Sequence, residues 1–111
     1  MRQVIKLGTD KKVNEVFKTK KGKTFAALYY SPWDDWNIKI LAMVDEWAQE
    51  EGEEILYLIN SWDTPAAFAP FSITSAPSLV RVRKGKVSVS VEDPKVYEYF
   101  YVPHQKGGAR S

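Results

Sequence analysis

Two short segments restrict the fold of this chain more than any other part of it. Residues 24–31, Thr-Phe-Ala-Ala-Leu-Tyr-Tyr-Ser, and residues 55–59, Ile-Leu-Tyr-Leu-Ile, are apolar, aromatic or β-branched with no polar alternation. Runs of that length and character suit strands covered on both faces, because a half-exposed strand would alternate. Pro32 ends the first run. Between the two lies one long amphipathic stretch. Asp34 or Asp35 can cap it, where a carboxylate is favourable at the positive end of a helix dipole. Ile38, Leu41, Val44, Trp47 and Ala48 recur on one face, with Ile40 widening it, and Gly52 closes it. Strand, helix, strand in that order makes a parallel pair joined by a crossover.

The flanking sequence extends this unit on both sides. Gln3 to Leu7 is a short apolar run and reads as a strand. Asp10 offers a cap for a helix carrying Val13, Val16 and Phe17, which ends in the lysine-rich stretch 18–23. After the Glu54–Asn60 strand, Thr64 and Pro65 have the form of a cap and first helical residue, opening a short helix through Ala66, Phe68 and Phe71. Two alternating runs, Ser78–Val82 and Lys86–Val91, surround Arg83-Lys84-Gly85-Lys86 and predict a hairpin. Asp93 and Pro94 start a closing helix whose apolar side includes Val96, Tyr97, Phe100 and Tyr101. The expected architecture is α/β: a central mixed five-stranded sheet flanked by four helices. Residues 1–102 form one domain without repeats, and the polar, Gly-rich residues 103–111 form a flexible tail.

Composition narrows the chemistry. At 111 residues the chain can bury about two-thirds of its unfolded surface around one core. There is no cysteine, which removes disulfides, thiolate catalysis and cysteine-ligated metal sites together. The formal net charge of +2 does not by itself argue for nucleic acid. No apolar run marks a secretory signal or a bilayer span, so a cytoplasmic protein that meets no membrane is the default expectation.

Three blocks, in order, carry a family resemblance. Tyr29-Tyr30-Ser31-Pro32-Trp33 resembles the aromatic segment that leads into the active site of thioredoxins, and Lys39 follows near the position of their lysine after the motif. Phe71-Ser72-Ile73-Thr74-Ser75-Ala76-Pro77-Ser78-Leu79-Val80 resembles their Tyr-Gly-Ile-x-x-x-Pro-Thr-Leu segment, and Arg83-Lys84-Gly85-Lys86-Val87 their Lys-x-Gly-x-Val hairpin. The resemblance implies the thioredoxin fold over about residues 1–102, with a cis proline at Pro77 facing the start of the long helix. It also implies that backbone at Ala76 pairs with an extended substrate segment.

The departures fall on the reactive positions. Where thioredoxins carry Trp-Cys-Gly-Pro-Cys, this chain has Trp33-Asp34-Asp35-Trp36-Asn37. Leu28 falls where the family keeps a buried aspartate that moves protons. Nucleophile, resolving group and proton relay are absent together, and thiol–disulfide exchange requires a thiolate. What the resemblance leaves is a redox-inactive binding module that needs no cofactor and recognises an extended peptide or a protein surface. Its candidate site residues are Trp33, Asp34, Asp35, Trp36, Asn37, Trp62, Ala76 and Pro77.

Each of these has a plainer reading beside it. Asp34 and Asp35 serve as helix-start residues more readily than as an acid–base pair or metal ligands, since neighbours at a helix start do not converge. Trp33 and Trp62 either pack loops or face a ligand. Trp36, replacing a proline in an outward-projecting motif, has the strongest claim to exposure. Trp47 belongs to the core, and His104 lies in the tail. The alternative function is association with nucleic acid, or with an enzyme acting on it, through a basic pole. That pole holds Lys18, Lys20, Lys21 and Lys23 together with Arg81, Arg83, Lys84 and Lys86. It is disfavoured because Glu50, Glu51, Glu53 and Glu54 share the pole and no aromatics are interleaved with the lysines.

Overall fold

The computed structural model describes residues 1–20, 22–60, 62, 76–90 and 93–102. Five strands form one mixed sheet: β1 (Gln3–Leu7), β2 (Phe25–Tyr30), β3 (Ile55–Asn60), β4 (Ser78–Arg83) and β5 (Lys86–Ser90). Their spatial order is β1-β3-β2-β4-β5. β3 runs parallel to both β1 and β2, while β4 is antiparallel to β2 and β5 to β4. Three helices are present among the described residues: α1 (Asp10–Thr19), α2 (Asp35–Gln49) and α3 (Asp93–Phe100). The helix expected over Thr64–Phe71 and the tail from Pro103 lie outside the described residues.

The unbroken apolar run of β2 is explained by its central place. All six of its residues are buried, and they divide between two cores by strand alternation. Phe25, Ala27 and Tyr29 pack with Leu7, Val13, Tyr57, Ile59 and Val80 on the α1 face. Ala26, Leu28 and Tyr30 pack with Ile40, Val44, Trp47, Leu58 and Phe100 on the face covered by α2 and α3. Leu28 lies in register with Leu58 on one side and Leu79 on the other. The position where the resemblance led to a comparison with an aspartate is therefore a dry row of leucines.

Helix ends depart in detail from the sequence expectation. The α1 cap is Thr9, not Asp10: Thr9 is extended, and its hydroxyl oxygen accepts from the Lys12 amide at 3.1 Å. Asp10 instead occupies the first turn. Asp34 caps α2 and Asp35 begins it. The helix ends at Gln49, ahead of Gly52. Its buried stripe is Asn37, Ile40, Val44 and Trp47, whereas Ile38 is 49% exposed. Of the expected apolar face, Val44, Trp47 and Ile40 are buried, Leu41 and Ala48 are partly buried, and Ile38 is the one that faces outward.

At the far end of α2 the chain supplies a cation from a distance. The Arg2 guanidinium donates to the Trp47 carbonyl at 2.9 Å and to Glu54 Oε2 at 2.7 Å, and lies 4.5 Å over the Trp47 ring. No basic residue stands in the last turn of α2 itself. Gly52 makes room for this arm, since a Cβ there would come within 2.6 Å of Arg2 Nε. The β4–β5 hairpin turns on Lys84 (φ 50°) and Gly85 (φ 86°). Two consecutive positive φ values are the requirement of a two-residue turn matched to strand twist.

A tryptophan-edged end of the sheet

The parallel strands β2 and β3 end side by side, and the segments that follow them form the candidate site. After β2 the chain passes through Ser31 and Pro32 to Trp33 and then into α2. The Asp34 carboxylate accepts from the Trp36 amide at 2.8 Å, and the Asp34 carbonyl accepts the first helical bond from Ile38 at 3.0 Å. One carboxylate is thus committed to the cap and the other, Asp35, lies exposed in the first turn. Among the described residues no three acidic or histidine side chains converge as a metal site. The two aspartates act here as helix-start groups, as expected of them.

Asn37 is fully buried, and it ties three segments together. Its Oδ1 accepts from the Ser31 amide at 3.0 Å, and its Nδ2 donates to the Ala76 carbonyl at 3.4 Å. The Ala76–Pro77 peptide is cis, as the resemblance implied. Pro77 is buried and Ala76 half-buried. Asn37 is thus a polar rivet between the end of β2, the start of α2 and the proline turn. Sequence reasoning named Asn37 but missed this role; its spacing with Ile40 and Val44 was the available signal.

The aromatics sort differently from the sequence expectation. Trp36 is not the exposed one. Its ring stacks on Tyr97 of α3 at 5.9 Å and 12°, with the Lys39 ammonium 5.5 Å from its centroid. Its indole N–H is buried and has no hydrogen-bond partner among the described residues. Helix α3 covers the position, and the sequence of the motif alone contained no sign of that neighbour. Trp33 and Trp62 are 72% and 70% exposed. They meet edge to face at 5.8 Å and 84°. The Trp62 amide donates to Asn60 Oδ1 at 2.7 Å, just beyond the end of β3. The two exposed rings thus meet each other beyond the ends of β2 and β3.

With the fold and this geometry in hand, comparison with known proteins gives a fold and no closer relation. No protein-family model matches the sequence, and no curated protein matches it. Solved structures do match. Thioredoxin from Fasciola hepatica superposes with a TM-score of 0.69 at 20% identity, covering 86% of this chain and 95% of that one. Thioredoxin from Schistosoma mansoni gives 0.70 at 14% identity, covering 88% and 93%. Thioredoxin from Trypanosoma brucei brucei gives 0.71 at 10% identity, covering 98% and 93%. The chain has a thioredoxin-like fold without cysteine, so a thioredoxin-type redox site is absent.

Proposed function

We propose that this protein is a non-catalytic binding module, and that it recognises an extended peptide or protein surface at the end of the sheet formed by Trp33–Asn37, Trp62 and Ala76–Pro77. The observation that carries this reading is the exposed Trp33–Trp62 pair. Leaving two indoles in water forgoes about 2 kcal/mol or more of burial per ring, so such a pair is a costly ornament without a partner. Tryptophan is also the residue most concentrated at the energetic centres of protein interfaces. The Asn37 rivet supports the same reading, because a fixed platform loses little order on binding. The cysteine-free motif argues against thiol chemistry at this end, and among the described residues neither aspartate belongs to a cluster of acidic or histidine side chains.

The test is selection of peptides from a random displayed library on the immobilised protein, followed by titration of the enriched sequences. Trp33→Ala with Trp62→Ala is expected to weaken binding at least tenfold while leaving the far-ultraviolet circular dichroism unchanged. Enriched peptides that bind the double variant as tightly as the parent would place recognition elsewhere. Trp36→Ala is a poor probe, since removing a ring packed on Tyr97 disturbs the α2–α3 contact itself.

A further inference from the structure

The opposite pole of the molecule holds an open cleft of about 500 Å³. The β4–β5 hairpin forms one wall and the end of α3 contributes Tyr99. The register pairs Arg81 with Ser88 and Arg83 with Lys86, so these four side chains share one face of the hairpin. Lys84 at the turn also lines the cleft. The Arg81 guanidinium lies 4.9 Å over the Tyr99 ring, whose other neighbours are Trp47 and Phe100.

Two objections raised by the sequence fall away here. The acidic run before β3 was expected to cancel the charge of this pole. Of its four glutamates only Glu54 lines the cleft, and its carboxylate is held at 2.7 Å by Arg2. Arg81, Arg83, Lys84 and Lys86 have no carboxylate within ion-pair distance among the described residues. Aromatics were expected to be missing, yet the fold brings Tyr99 in from α3. Arg83 and Lys86 moreover stand directly opposite each other, an arrangement of like charges that weakens a hairpin and is relieved by a bound anion.

We propose that this cleft binds the sugar–phosphate backbone of a single-stranded nucleic acid. Alternate positions on β4 place Arg81 and Arg83 about 7 Å apart along the strand. Cations spread at that spacing match successive phosphates along a strand better than one compact anion. The cleft is open to solvent, and at about 500 Å³ it is too small to enclose a duplex. The Arg81–Tyr99 stack offers a flat cationic platform for a base, the combination that sequence-tolerant single-strand binding uses.

The experiment is fluorescence anisotropy of a labelled oligothymidylate of about twelve nucleotides, titrated with the full chain at about 20 mM salt and then at rising salt. Four phosphate contacts predict a log–log salt slope of about −3. R83E/K86E is expected to lose at least tenfold in affinity. K11E/K12E, with the same change in net charge at the other end of the molecule, should stay within about threefold of the parent. Circular dichroism melting accompanies each variant, and R83Q/K86Q serves as the second variant should the charge reversal melt early. Absence of binding at low salt, equal losses in the two charge-reversed doubles, tighter binding to a duplex of the same length, or binding of tripolyphosphate without the oligonucleotide would each overturn the proposal.

Discussion

Asn37 joins the Ser31 amide to the Ala76 carbonyl from a fully buried position, so its two ends do different work. Asn37→Ala removes both and leaves a half-buried donor and a half-buried acceptor without their partner, an expected loss of about 1–3 kcal/mol in chemical denaturation. Asn37→Asp is the sharper probe. It keeps the acceptor facing Ser31 and replaces the donor facing Ala76 by an oxygen. Burial and the facing carbonyl raise the folded-state pKa of the new carboxyl above its unfolded value of about 3.9. Below that value both states are protonated, and the acid hydroxyl can donate to Ala76. As the pH rises past it the unfolded chain releases its proton first, so the deficit against the parent grows from about pH 4 towards neutrality. A pH-independent deficit in paired denaturation curves would mean that the side chain is solvated and the rivet absent. At this scale the sequence was only partly legible. The absence of cysteine was visible at once, and the helix-cap role of Asp34 followed from residue type alone. The partner of Asn37 lies 39 residues away, and the partner of Trp36 is Tyr97 on another helix. No local pattern encodes such pairs.

Helix α2 is a case of an element completed by the rest of the chain. Its N-terminus carries its own anion and its own cap, but its last turn holds no cation. Arg2 supplies one by reaching from the residue before β1 to the Trp47 carbonyl, while its backbone amide donates to Ala48 at 2.8 Å. Arg2→Ala is expected to cost about 2 kcal/mol, from the lost charged hydrogen bonds and the exposed helix end. Arg2→Lys should recover only a minor part, because one ammonium cannot serve Trp47, Glu54 and the indole face in the fork geometry of a guanidinium. Thermal melts of the two variants decide this; a lysine variant as stable as the parent would reduce Arg2 to a simple charge. The elements themselves were largely legible. The five strands, the hairpin and the long helix follow from periodicity and turn residues, because each is written in consecutive positions. The miss at Thr9 arose from choosing between two adjacent capping residue types, a choice made by backbone torsion rather than composition. The misplacement of Ile38 arose because an amide, Asn37, takes a place in the buried stripe of α2.

Across the whole molecule, burial of tyrosine hydroxyls links stability to alkaline pH. Desolvation raises the pKa of Tyr29, Tyr57 and Tyr99 above the ordinary phenol value; at Tyr99 the Arg81 guanidinium opposes that shift. Where a phenol stays protonated in the fold but ionises in the unfolded chain, that ionisation favours the unfolded state. Their contribution is therefore complete below about pH 10, the unfolded value, and is lost as the pH climbs above it. The melting temperature is expected to fall progressively above about pH 10, with a shallower fall in Tyr99→Phe. An unchanged slope in that variant would locate the alkaline sensitivity elsewhere. The same overall view sets the two ends of the sheet apart, an aromatic end after β2 and β3 and a cationic end at the β4–β5 turn. Helix, strand and turn signals placed both ends in sequence, but only the folded chain showed which tryptophans face water. That sorting has an optical consequence. Of the four indoles, Trp33 and Trp62 stand in solvent while Trp47 is packed beneath Arg2. Their emission therefore lies to the red of the interior ring and is open to iodide quenching, and their edge-to-face contact should split the near-ultraviolet dichroism into a couplet. The sheet end to which peptide recognition is assigned thus carries its own label, and occupancy there can be read as a blue shift without attaching any dye.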